Sequence, residues 1–99
     1  MAISVIVQTF TGEILSRSVH PGIGALCQAA REHHLPLLSG VDPYDNTVFN
    51  RSQVNDVRAE LDSLRNAGDF EDLVLWTELV QLIELVNAKP HRYLLFNGD

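Results

Sequence analysis

Apolar positions at Ile3, Val5 and Val7 alternate with polar ones through AISVIVQT, and Ile6 falls on the opposite face. β-Branched residues at a period of two predict a strand covered on at least one side. Gly12 supplies a turn, and the EILSRSV segment that follows either pairs back as a hairpin strand or runs as coil, because Leu15 is out of phase with Ile14. After His20-Pro21-Gly22 the spacing changes to Ile23, Leu26, Cys27 and Ala30, one face of a helix that ends near His33-His34 ahead of Pro36. Leu35, Leu37 and Leu38 are too apolar for a free loop, which predicts a short buried strand or extended piece over 37–41. Asp42-Pro43-Tyr44-Asp45-Asn46 is turn chemistry.

Two helices follow. Asn50 or Ser52 can cap the first, Asn50 with Gln53 approximating a capping box; Val54, Val57, Leu61 and Leu64 recur at helical spacing, and Gly68 is the stop. Asp69 is the expected cap of a last helix running from Phe70 to Ala88, ended by Pro90. Its apolar positions, Leu73, Leu75, Trp76, Leu79, Val80, Leu82, Ile83 and Val86, sweep an arc of roughly 180°, where a surface helix needs a stripe of about 100°. Such a helix touches two neighbours: a sheet and the preceding helix, or a sheet and another chain. HRYLLF, His91 to Phe96, closes the pattern as a strand, with Asn97-Gly98-Asp99 its polar end. The order predicts an α+β fold: a small two-layer domain with an antiparallel or mixed sheet of three to four strands and about three helices over one face.

The 99 residues form a single domain, 45% hydrophobic and 20% charged, with one core to build. A formal charge of −6 argues against nucleic acid and anionic membrane as partners. The start of the chain lacks the basic flank and apolar stretch of a secretion signal, and Cys27, the lone cysteine, excludes an internal disulfide, so a soluble cytoplasmic protein is expected. Charge is unevenly placed. Asp56, Glu60, Asp62, Asp69, Glu71, Asp72, Glu78 and Glu84 are opposed within their segment by Arg58 and Arg65 alone, so one helical hairpin carries the whole imbalance. It is read either as a solvated face or as a surface that attracts a basic partner.

Other chemistry is weak. His33 and His34 are adjacent and point about 100° apart on a helix, a poor chelating geometry. Asp42, Asp45 and Asn46 lack the spacing of a calcium loop and fit turn formation. Cys27 sits on an apolar face as a small hydrophobe, and His20-Pro21-Gly22-Ile23-Gly24 is neither a dinucleotide fingerprint nor a P-loop. Arg51, Arg58 and Arg65 recur every seven residues, with Arg58 to Asp62 the expected intrahelical pair. No catalytic, metal-binding or cofactor-binding residue is assigned, and the chain is not expected to be an enzyme.

DPYDNTVFN (Asp42 to Asn50), the helix after it and the terminal YLLFNGD give the chain a resemblance to a group of short, acidic bacterial proteins with a DPYGDTVFN-like loop and a YLxFIGD-like ending. It departs from them at Asp45-Asn46, where Gly-Asp is expected, and at Asn97. In size and acidity the group is similar to immunity proteins that neutralise polymorphic or contact-dependent toxins. That resemblance implies a non-catalytic inhibitor that meets a basic toxin domain by direct acidic contact, with Asp56, Glu60, Glu71, Glu78 and Glu84 as contacts and Tyr44 as an aromatic anchor. The alternative from the same residues is a homodimeric structural or adaptor module using the wide apolar face of the 70–88 helix.

Overall fold

The computed structural model describes residues 3–98, so Met1, Ala2 of the expected first strand and Asp99 of the polar end lie outside the described residues. Strands β1 (Ile3–Thr9) and β2 (Ile14–Ser18) form a hairpin, followed by helix α1 (Ile23–Glu32), a 3-10 turn (Leu38–Gly40) and strand β3 (Asn46–Phe49). Helices α2 (Arg51–Asn66) and α3 (Leu73–Ala88) lead into the closing strand β4 (Arg92–Gly98). The sheet order is β2-β1-β4-β3, with every neighbouring pair antiparallel. The two segments at the chain's ends therefore meet at its centre. The α+β two-layer expectation holds.

One face of the sheet carries the core. Val5 lies opposite Phe96 and Val7 opposite Leu94, and all four are buried against residues of the three helices. Ile6 and Leu95 face each other on the other side. The 14–18 segment, left open between strand and coil, is a strand. It pairs with β1 through a bulge between the Val7 and Gln8 registers that absorbs Leu15 as an extra residue. That bulge explains the phase conflict between Ile14 and Leu15: Leu15 packs against the core and Ile14 is exposed.

Two boundaries differ from the sequence reading. Leu37 to Val41 is no strand; it closes as a 3-10 turn through Gly40 N–H to Leu37 O and Val41 N–H to Leu38 O. The third strand lies further on, where Thr47-Val48-Phe49 pairs with β4. Phe49 precedes the N-cap Asn50, and with Val54 it enters the core as a hydrophobic staple would. The capping box of Asn50 and Gln53 is formed as expected. The last helix begins at Leu73, not Phe70, because Asp72 and not Asp69 is its cap, its carboxylate accepting the Leu75 N–H.

Asp69 has another task, set by how α1 and α2 end. Both close with the paired bonds of a Schellman motif. Leu35 N–H reaches Ala30 O and His34 N–H reaches Arg31 O; Asp69 N–H reaches Leu64 O and Gly68 N–H reaches Arg65 O. The left-handed residues are His34 and Gly68. These endings aim His33 and Asp69 at each other, and the two side chains pair.

Most of the wide apolar arc of α3 is used within the chain, Leu73 at its first residue being exposed. Leu75, Leu79, Leu82, Ile83 and Val86 join the core, and α3 touches α2 as well as the sheet. Its second neighbour is the preceding helix. Trp76 lies under two guanidinium groups of α2, Arg65 at 4.5 Å and Arg58 at 5.2 Å from the ring, and its indole N–H donates to Asp62. With Arg51 donating to Asn87 O, the seven-residue arginine stripe becomes a clamp along α3.

Candidate functional site

The acid-rich hairpin is the place to look for a site, and the fold distributes its carboxylates in an uneven way. Glu60 is a correction to the sequence reading. It is only 7% exposed, and its two oxygens accept the Leu37 N–H at 2.9 Å and the Leu38 N–H at 2.8 Å. A carboxylate spent on two backbone amides of the 3-10 turn offers nothing to a partner. It is an internal brace, and the reason is steric as much as electrostatic: position 60 is three residues past Val57 and four before Leu64, at the rim of the buried stripe.

The other acids divide. Asp62 lies 3.5 Å from Arg58 in the expected i,i+4 pair, and Asp69 pairs with His33. Asp72 caps α3 with one oxygen and meets His20 Nε2 at 3.2 Å with the other. His20 Nδ1 accepts the Gly22 N–H, so Nε2 is the nitrogen left to donate to Asp72. Glu78 is half-buried and accepts a hydrogen bond from Ser18 Oγ at 2.9 Å. Asp56, Glu71 and Glu84 remain exposed, with no hydrogen bond or ion pair among the described residues.

Tyr44 does not join them. Its loop is held by Asp42 Oδ1 accepting the Tyr44 N–H and by Gly98 N–H donating to Asp45 O, and the side chain is 69% exposed. The loop feeds β3 at one edge of the sheet, whereas Glu78 is bonded to β2 at the opposite edge. Those edges are three strand spacings apart, about 14 Å. The six expected contacts therefore do not make one surface.

What the structure does bring together is the β2 edge and the first half of α3. Ser18 meets Glu78 and His20 meets Asp72, so the chain from β2 runs antiparallel along α3 and carries Val19 past its first two turns. Val19, Leu73 and Val74 are exposed there at 72%, 57% and 64%. Beside them a groove of about 360 Å³ opens between β2 and α3, its walls formed by Ser16, Arg17 and Glu78 with Gln81, and its apolar end by Leu82 and Leu85. The sequence signal for this place was thin. Val74 falls among the polar positions Glu71, Glu78, Gln81 and Glu84 of the expected helix and is exposed as that placement implies, whereas Leu73, expected on the apolar arc, is exposed because it is the first residue of α3.

The remaining candidates resolve as structure. Cys27 is buried, and burial pushes its thiol up to about 11 while Arg31 pulls weakly the other way. Such a thiol is protonated near neutrality and a poor nucleophile. Asp42 and Asp45 accept the backbone N–H groups of Tyr44 and Asn46, as turn formers do. Among the described residues no group of three or more metal-ligating side chains converges, and no helix is long and apolar enough to cross a membrane.

The fold and this edge define a small α+β domain with an acidic and apolar flank. Comparison with protein-family models, with curated proteins and with solved structures returned no match.

Proposed function

We propose that the protein is a non-catalytic binding domain that captures a basic partner protein in the cytoplasm, in the manner of bacterial immunity proteins. The observation that carries this reading is the exposed trio Val19, Leu73 and Val74 with the carboxylate of Glu78, which lies one turn beyond Val74 and holds Ser18, the neighbour of Val19. Protein interfaces combine an apolar anchor with a polar rim, and this flank has that composition. Unpaired acids raise encounter rates with a basic partner, which is the requirement on an inhibitor that must intercept a toxin quickly. Asp56 and Glu84 add to the long-range field from elsewhere on the hairpin, without contact. Cys27 as a buried free thiol suits a reducing compartment.

The test is co-expression with the product of the gene immediately upstream, followed by titration calorimetry and stopped-flow binding. The expected result is a 1:1 complex whose association rate falls about tenfold or more from low to high salt. Val74→Asp breaks the complex, and Glu71→Lys slows its formation without changing the fold. Absence of a complex at low salt, or binding indifferent to Val74, overturns the reading. A stable homodimer seated on Leu73 and Val74 favours the structural or adaptor alternative; sedimentation of the isolated protein reads that outcome directly.

A further inference from the structure

We infer that the β2 edge is a docking strand: it takes an extended segment of the partner protein whose residues run basic, acidic, apolar. This rests on the proposed capture of a protein and names how one segment of that protein is recognised. Among the described residues β2 pairs only with β1, so its other edge has unpartnered backbone groups there. The bulge near Leu15 limits the usable stretch to Ser16–Ser18. Above that edge α3 presents Glu78, Gln81, Leu82 and Leu85, spaced i, i+3, i+4 and i+7 on one helical face, and the groove lies between. A strand added here completes its hydrogen bonds on β2 and places alternate side chains under α3.

The order of side chains follows from register. Ser18 and Ser16 lie opposite Val5 and Val7, on the helix-covered face, while Arg17 lies opposite Ile6 on the other face. In a segment running antiparallel to β2, the residue opposite Ser18 meets Glu78, which already holds the Ser18 hydroxyl. Its other oxygen, Oε1, has no hydrogen bond or ion pair among the described residues, and a basic side chain completes it. The next residue falls opposite Arg17 on the far face. Arg17 likewise has no ion pair among the described residues, so an acidic side chain fits. The third, opposite Ser16, returns under the helix and covers Leu82 and Leu85. The spacing agrees: Glu78 to Leu82 is about 6 Å along the helix axis, and two strand residues advance about 6.8 Å. One unpaired charge of each sign, on opposite faces of the edge, thus sets both direction and sequence.

Two blocked peptides of identical composition test this: Thr-Thr-Lys-Glu-Val-Thr-Thr, and Thr-Thr-Glu-Lys-Val-Thr-Thr with the charges exchanged. Amide resonances are followed during titration at low salt, together with hydrogen exchange. The first peptide is expected to shift Ser16–Ser18 and the 78–85 face of α3, to slow exchange of β2 amides, and to bind at least tenfold tighter than the second. The double variant Arg17→Glu, Glu78→Lys reverses that preference, while Glu78→Gln, which keeps an acceptor for Ser18, weakens the first peptide alone. Equal binding of the two peptides, shifts centred elsewhere, or no shift at millimolar peptide overturns the docking strand. If the upstream product forms its complex while β2 amides stay unprotected, capture stands and the docking strand fails. If the peptide docks as described while no protein complex forms, the groove stands and capture by that partner fails.

Discussion

Replacing Glu60 by alanine removes the brace between α2 and the 3-10 turn, and the cost can be worked from its two bonds. Each oxygen accepts one backbone N–H, at 2.9 and 2.8 Å, in a site where the side chain is buried. A hydrogen bond to a charged group contributes roughly 1.5–3 kcal/mol, and a buried donor left without a partner costs a comparable amount. Part of this is recovered because the carboxylate no longer has to be desolvated. A net loss of about 3 kcal/mol is expected for Glu60→Ala. Glu60→Gln keeps one carbonyl oxygen but turns an amide NH2 toward the second N–H, so about half that loss is expected. With a urea slope of about 1.5 kcal/mol/M, the midpoint falls by about 2 M for alanine and about 1 M for glutamine. Hydrogen exchange at the Leu37 and Leu38 amides accelerates in the same order. An alanine midpoint within about 0.3 M of the parent, with those two amides still protected, would refute the brace and return Glu60 to the surface.

Three further outcomes follow from particular contacts. Gly98→Ala places a Cβ 2.4 Å from Asp42 O and 2.7 Å from Asp45 O, backbone atoms that cannot swing aside; a loss of about 1–3 kcal/mol is expected in thermal or urea unfolding, with Tyr44's loop displaced from β4. Arg65→Ala removes the guanidinium 4.5 Å from the Trp76 ring and is expected to cost about 0.5–1 kcal/mol; a double-mutant cycle with Trp76→Leu checks that the loss belongs to the pair. Burial raises the Cys27 thiol from its ordinary 9.0 to about 11, so the unfolded chain loses this proton first as pH rises. Stability from this group is complete below pH 9 and drains away between pH 9 and 11, at up to about 1.4 kcal/mol per unit; the slope disappears in Cys27→Ala, and an identical slope in that variant assigns it to other groups.

Periodicity carried most of the fold. Ile23, Leu26, Cys27 and Ala30 are the buried face of α1, and Val54, Val57, Leu61 and Leu64 of α2, because a helical stripe is a local property of the chain. The 37–41 segment departs from the expected strand because burial does not require pairing. Leu38 and Val41 are indeed buried, but their backbone groups close on the turn itself and on a carboxylate 22 residues away from Leu38. Nothing within the segment announces that partner. The start of α3 differs for a related reason: Asp69 and Asp72 are both sound caps by type, and each is also tied to a histidine flanking α1, Asp69 to His33 and Asp72 to His20.

The same logic governs the charge. A run of eight acids against two arginines is a fact of sequence, but a surface potential is made by the carboxylates left over after folding. Five of the eight are occupied: one by backbone amides, two by histidines, one by an arginine and the indole of Trp76, one by a serine hydroxyl. Each tie joins two elements or steadies one, so much of the acidity serves cohesion between α1, α2, α3 and β2. Asp56, Glu71 and Glu84 keep their charge for solvent, and Glu78 keeps one oxygen at the mouth of the groove. Exposed acids of this kind act on the rate of encounter through their field and need no fixed contact, whereas the choice of a partner is left to the few contacts that are both exposed and fixed. On this domain that combination occurs where β2 meets α3: Glu78 held by Ser18, Arg17 unpaired across the strand, and Val74 exposed one turn away. On the proposed capture of a basic partner, long-range acidity and short-range recognition are therefore separable, and variants at Asp56 or Glu84 are expected, in stopped-flow binding, to slow association while leaving the dissociation rate of the complex unchanged.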